Sequence, residues 1–180
     1  MTSGERERAI AALSESRERL LATARRLSPS QLAYKPAADR WSVAECIEHV
    51  ILVENSILGA IQKTVQQPAD SPQTVVEDDA MLARVVDRGE RMKGPERLMP
   101  TGRWSHDELF REFEAVRKRT SEFAASTDAS LRESVFPHPA FGPLDCYQWL
   151  LLIPAHGERH CAQAEEVMAS AGFPRAASAS

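Results

Sequence analysis

His156 and His160 stand four residues apart in a stretch, Trp149 to Val167, whose apolar residues recur at helical spacing. Side chains four apart on a helix face the same way, with Cβ atoms about 5–6 Å apart, so two imidazoles so placed can converge on one metal ion at about 2.0–2.1 Å each. The stripe that carries them is Trp149, Leu152, Ile153, His156, His160, Gln163 and Val167, which turns both rings toward an interior. A third nitrogen has to come from another helix. His49 is the candidate: it borders the inward stripe of an earlier helix, with Glu45 one turn before it. Three histidines leave a position for water or substrate, the pattern of a catalytic metal site rather than a closed structural one. The same spacing occurs where inward histidines are ordinary hydrogen-bonded core residues, so spacing alone leaves both readings open.

Other residues near these three have two uses each. Glu45 is either a carboxylate base behind the metal or the capping partner of Ser42. Gln163, about one turn past His160, is placed to orient that ring or to bind substrate. Arg159 faces a neighbouring helix or solvent, or steers an anionic substrate from the rim. Cys46, three before His49, is a thiol near the site or a small buried hydrophobe; Cys161 points about 100° away from His160. His106, in a first helical turn, and His138, in a proline-rich loop, are excluded as ligands. Pro154, two residues before His156, removes a helical hydrogen bond to Leu150, which either kinks the helix and resets the His156 angle or makes a local bulge.

Four amphipathic windows position these residues. The first runs from Ser3 to about Leu27 with Ile10, Leu13, Leu20, Ala24 and Leu27 on one stripe, and Ser28-Pro29 ends it. The second opens at Ser42-Val-Ala-Glu45, a capping box, and runs to about Gln66 with Pro68 beyond its end. The third opens at Ser105-His-Asp-Glu108 and buries Leu109, Phe113, Val116 and Phe123. The last begins near Asp145 and reaches about Ala171, where Gly172 and Pro174 close it; Arg175 to Ser180 reads as a frayed tail. Between the second and third, Thr74-Val-Val-Glu77 caps a shorter helix through about Arg88, stopped by Gly89, and Lys93-Gly-Pro95 and Met99-Pro-Thr-Gly102 are loop. Residues 134–143, with three prolines and a glycine, read as a second loop. No segment alternates as a strand does. The pattern predicts an all-α four-helix bundle with a short extra helix between helices two and three, one domain over residues 1–172 and a tail over 173–180.

Composition narrows the function further. The 180 residues carry 22 basic and 26 acidic side chains, a net charge of −4, which lacks the positive footprint that nucleic-acid backbones require. The longest apolar run away from the ends, Trp149 to Ile153, is far short of a membrane span, and the charged start is no secretory signal. Three cysteines without a Cys-x-x-Cys pair make poor material for a disulfide framework. The expectation is a cytoplasmic protein acting on a small molecule, with neither nucleic acid nor membrane as partner.

Two blocks carry a resemblance. Arg40-Trp-Ser-Val-Ala-Glu-Cys-Ile-Glu-His49-Val and, far downstream, His138-Pro-Ala-Phe-Gly-Pro-Leu-Asp145 followed by Gln148-Trp-Leu and His156-Gly-Glu-Arg-His160-Cys-Ala-Gln163 resemble the DinB-like (YfiT-type) superfamily. The resemblance implies a bundle in an up-down-down-up arrangement, a homodimer, and a metal site of one histidine from helix two and two from helix four, which map onto His49, His156 and His160. It implies zinc or nickel as the ion, and activities that include thiol S-transfer with a low-molecular-weight thiol, a related isomerisation, and hydrolysis. The rival expectation is a non-catalytic, metal-stabilised bundle that binds a ligand or partner. A DNA-damage role rests on the family's name alone, and the acidic balance argues against it.

Overall fold

The computed structural model describes residues 1–67, 74–89 and 94–175. In chain order they form α1 (Ser3–Ala24), α2 (Pro29–Ala33), α3 (Val43–Thr64), α4 (Asp78–Val86), a single 3₁₀ turn (Glu96–Leu98), α5 (His106–Ser126), β1 (Val135–His138), β2 (Gly142–Asp145) and α6 (Cys146–Met168). Among them no helix is long and apolar enough to cross a membrane.

Local chemistry starts the long helices. The Ser42 hydroxyl accepts the Glu45 N–H at 3.1 Å, and Glu45 returns the bond by accepting the Ser42 N–H at 2.7 Å. Asp145 and Gln148 make the same reciprocal pair at the start of α6, at 2.7 and 3.3 Å.

Three stretches differ from expectation. Ser28-Pro29 begins a helix rather than ending one: α1 stops at Ala24, and Ser28 caps the short α2 with Pro29 in its first turn, where the missing N–H has no cost. Thr74 does not cap α4, which starts at Asp78 after Glu77. Residues 134–143, expected as loop, contain an antiparallel hairpin in which Val135 pairs with Asp145, Pro137 with Pro143 and His138 with Gly142. Neither proline can donate to the ladder, so the strands lack an ordinary sequence signature. At the other end, Phe173 packs edge-on against Tyr34 at 5.6 Å and the Pro174 carbonyl accepts from Gln31, so the tail begins docked. Pro68, Lys93 and residues 176–180 lie outside the described residues.

α1 and α3 each pack against both α5 and α6, which places α1 diagonally opposite α3 and α5 diagonally opposite α6, while the consecutive α3 and α5 are neighbours. Side-chain bonds give the directions. Glu54 and Asn55 of α3 meet Arg117 and Arg119 of α5, and Glu48 meets Arg103 just before α5, so α3 and α5 run parallel. Tyr147 reaches the carbonyl of Glu5 and Arg19 reaches Glu158, so α1 and α6 are parallel too. Arg6 caps the carbonyl end of α5 through Ala124, Ala125 and Thr127, which sets α1 antiparallel to α5. This is the up-down-down-up bundle. Because α3 has 22 residues, about 33 Å of helix, the chain must travel back along the bundle before α5 can start. That return brings the 3₁₀ turn and residues 99–103 beside the beginning of α3.

Two apolar clusters fill the interior. A buried ion pair stitches three helices: Arg117 donates to Glu54 at 2.9–3.1 Å and to the Leu13 carbonyl at 2.7 Å, with both side chains 1% exposed. Such a pair contributes little over an apolar alternative, but breaking it leaves an unpaired buried charge.

Candidate metal centre

His49 projects from the second turn of α3, and His156 and His160 project from α6, which packs against α3 along much of its length. Ring centroids are 4.5 Å apart for His156 and His160, 4.8 Å for His49 and His160, and 5.0 Å for His49 and His156. Among the described residues, this is the one group of histidine, cysteine and carboxylate side chains placed to hold a metal ion, its ligand atoms within 4.8 Å of one another. His156 Nε2 and His160 Nε2 are 3.1 Å apart. Two nitrogens on a common tetrahedral ion at about 2.0–2.1 Å are separated by about 3.3 Å, so this pair already has ligand spacing.

Hydrogen bonds behind the rings aim them. The Leu98 carbonyl oxygen, in the 3₁₀ turn, lies 2.7 Å from His49 Nδ1. A carbonyl can only accept, so Nδ1 carries the hydrogen and Nε2 keeps a bare lone pair. Gln163 Oε1 does the same for His160 Nδ1 at 3.0 Å. Trp41 walls the site, its ring 4.8 Å from His49 and stacked at 5.7 Å on His160.

Electrostatics suit a cation ligand set. Burial lowers the pKa of His49. It pushes His156 well below the ordinary histidine value, with His160 and His49 adding like-charge repulsion. His160 is lowered to about 3, by burial first and by His49 second. All three rings are therefore neutral near pH 7, the form that binds metal. The donor set fits a divalent transition-metal ion: three imidazoles from two elements, with Nδ1–H groups of two of them satisfied elsewhere.

The remaining expected residues fall in distinct places. Glu45 is a cap: its carboxylate takes the Ser42 N–H and the Lys35 ammonium, the latter at 2.9 Å. Gln163 sits against His160 as the spacing suggested. Arg159 turns to the neighbouring segment and donates to the Val85 and Asp87 carbonyls. α6 continues through Pro154 without interruption. His138 Nδ1 accepts the Ala140 N–H and its ring packs on Phe141 and Trp149, while His106 bonds Asp107; neither joins the cluster. The cysteines are free and buried, and burial drives their thiols upward, Cys161 and Cys146 to about 12. Sequence reasoning missed Trp41, the Leu98 carbonyl and Glu48. Glu48 is 2% exposed and gathers the Thr101 and Gly102 N–H groups at 2.8 Å each and Arg103 Nε at 2.9 Å, fastening the returning chain beside His49.

Residues 12–164 match the DinB superfamily, a span that takes in all three histidines. The chain belongs to the DinB superfamily. The uncharacterized protein YuaE of Bacillus subtilis strain 168 is 30% identical to this chain over 142 residues, 78% of this chain and 85% of that one. The solved structure of YfiT from Bacillus subtilis, described as a probable metal-dependent hydrolase with an unusual four-helix bundle topology, superposes with a TM-score of 0.62 at 17% identity, over 97% of this chain and 91% of that one. That likeness supports the four-helix bundle as the fold.

Proposed function

We propose that this chain is a metal-dependent enzyme that holds zinc or nickel through His49, His156 and His160 and transfers or hydrolyses a group on a small molecule. The observation carrying this reading is the convergence of three neutral imidazoles from α3 and α6, two buried and His156 half-buried, with ligand atoms within 4.8 Å of one another and the α6 pair at 3.1 Å. Three protein ligands leave room for an exogenous one. When bound, the ion supplies Lewis acidity, which deprotonates a coordinated thiol or lowers the pKa of a coordinated water to about 7.

The chain's own residues then do the positioning. Leu98 and Gln163 hold two rings with Nε2 inward, and Trp41 covers one side of them, keeping water from that face. Glu45 has its carboxylate engaged by Ser42 and Lys35, so it is not placed as a base, and the proton of a metal-bound nucleophile would pass to solvent. That favours a low-molecular-weight thiol, which loses its proton on coordination, over a hydrolysis that relies on a carboxylate base. The free, buried cysteines suit a reducing, cytoplasmic setting in which such thiols are available.

The test is an assay of protein loaded with zinc or nickel against a panel of thiols paired with electrophiles, and against simple esters and amides. Metal-dependent turnover that disappears in His156→Ala supports the reading. Stoichiometric metal with no turnover on any pair leaves a bundle that uses the ion for stability, and removes the catalytic assignment. The homodimer belongs to the same proposal and is checked by sedimentation with and without metal.

A further inference from the structure

One oxygen of Gln163 serves two donors. Its Oε1 lies 3.0 Å from His160 Nδ1 and 3.3 Å from Arg88 Nη1. A guanidinium offers only N–H groups, so the amide atom that faces Arg88 has to be the oxygen. The ring nitrogen sharing that oxygen must then carry a hydrogen. Were the amide turned over, its NH₂ would oppose the guanidinium, His160 Nδ1 would become an acceptor, and the ring proton would move to Nε2. That is the nitrogen 3.1 Å from His156 Nε2, the one a metal requires bare.

Arg88 is itself held. Its Nε and Nη2 donate to the two oxygens of Glu166 at 2.7 Å each, a planar two-pronged pairing that fixes the direction of the remaining amino group. Glu166 stands three residues beyond Gln163 on α6, and Arg88 lies just past the end of α4, with its side chain 22% exposed. The chain of bonds therefore runs from Glu166 through Arg88 and Gln163 to the ring of His160.

We propose that Arg88, gripped by Glu166, is a positioning residue that selects the Nδ1–H tautomer of His160 by fixing the orientation of the Gln163 amide. The consequence for metal affinity rests on the function proposed above; the tautomer selection does not, because it operates in the metal-free protein. No atom of Arg88 needs to touch the ion or the substrate.

The experiment takes the metal-free full chain and reads its histidine tautomers by long-range ¹H–¹⁵N correlation, then measures zinc affinity by competition with a chromophoric chelator. In Arg88→Ala the His160 ring acquires a population with the hydrogen on Nε2, and zinc binding weakens by about 10–100-fold, the range for losing a partner that orients a ligand. Adding Gln163→Glu to that variant restores both, because a carboxylate can only accept and needs no arginine to set its face. Arg88→Gln, nearer in size, repeats the test if the alanine variant fails to fold. An unchanged tautomer in a folded Arg88 variant overturns the proposal. So does a loss of affinity that Gln163→Glu fails to restore, since that pattern belongs to a residue that only docks α4 on α6. If the wild-type chain binds no zinc while its tautomer still follows Arg88, the metal reading fails and the selection stands.

Discussion

His49 Nδ1 meets the Leu98 carbonyl oxygen at 2.7 Å, a bond between α3 and a segment that has returned along the bundle to reach it. One imidazole is thus held by two separate events, the start of α3 at its capping box and the docking of the returning chain. Replacing His49 with alanine removes a ligand and not merely its orientation. Zinc or nickel affinity then falls by more than about 100-fold, beyond the range for losing an orienting partner. Chelator competition and elemental analysis of protein purified without a histidine tag measure this. A variant that keeps its full complement of ion takes α3 out of the centre.

Trp41 offers an optical probe of the same place. Its ring lies 4.8 Å from His49 and 5.7 Å from His160, so an open-shell ion such as nickel or cobalt at the centre sits within contact range of an indole. Titration of the metal-free protein with nickel should quench a large part of the tryptophan emission, saturating at one equivalent. Trp41→Phe should abolish most of that quenching, while Trp104→Phe should leave it in place. Quenching that survives Trp41→Phe in full would place the ion elsewhere.

What could be read from the chain depended on how local the cause was. Ser42 with Glu45 and Asp145 with Gln148 announce their helices because each box closes over three residues. His156 and His160 were legible as a pair because the helical repeat alone makes them neighbours. Ser28 was misread because a serine before proline both ends one helix and starts another, and Gln31, which completes its cap, decides in favour of starting. The hairpin was hidden because Pro137 faces Pro143, while what holds it, the Phe136 ring stacked on Trp149 at 4.4 Å, is a contact with α6. Trp41, Leu98 and Arg88 reach the histidines only after the bundle closes, and Leu98 acts through its backbone, which carries no residue-type signal at all.

Glu48 gives the fold an acid-sensitive fastening. Burial alone would raise its pKa, but the N–H groups of Thr101 and Gly102 and the Arg103 guanidinium bring it below the usual carboxylate value. A folded-state pKa below the unfolded one means stability that is complete above the unfolded pKa, about 4.3, and lost as pH falls through the folded value. Glu48→Gln should therefore lose about 1–3 kcal/mol near pH 7, the scale of a hydrogen bond to a charged group, and less at low pH. Urea midpoints at pH 7 and at pH 3.5 report this. Equal losses at both would mean that the charge of Glu48 is not what holds residues 101–103.

Gly157, between the two histidines of α6, faces Ser16 of α1. A Cβ added there would stand 2.5 Å from Ser16 Oγ and 3.9 Å from Ser16 Cβ, with Arg117 Nη2 at 3.7 Å. Only the hydroxyl is too close. That hydroxyl is buried and has no hydrogen-bond partner among the described residues, so the fold gains nothing from it that would explain its presence. Gly157→Ala should destabilise by about 1–3 kcal/mol through overpacking, with the shift carried into the angle between His156 and His160 and hence into weaker zinc binding. Ser16→Ala should be close to neutral, because it removes a polar atom that was already unsatisfied. The double variant should be at least as stable as the parent: the clash is gone, and alanine inside a helix is favoured over glycine by about 1 kcal/mol. Urea denaturation of the four proteins closes the cycle. A double variant as unstable as Gly157→Ala alone would show that the approach of α1 to α6 is limited by backbone rather than by Ser16 Oγ, and that a glycine is required there whatever faces it.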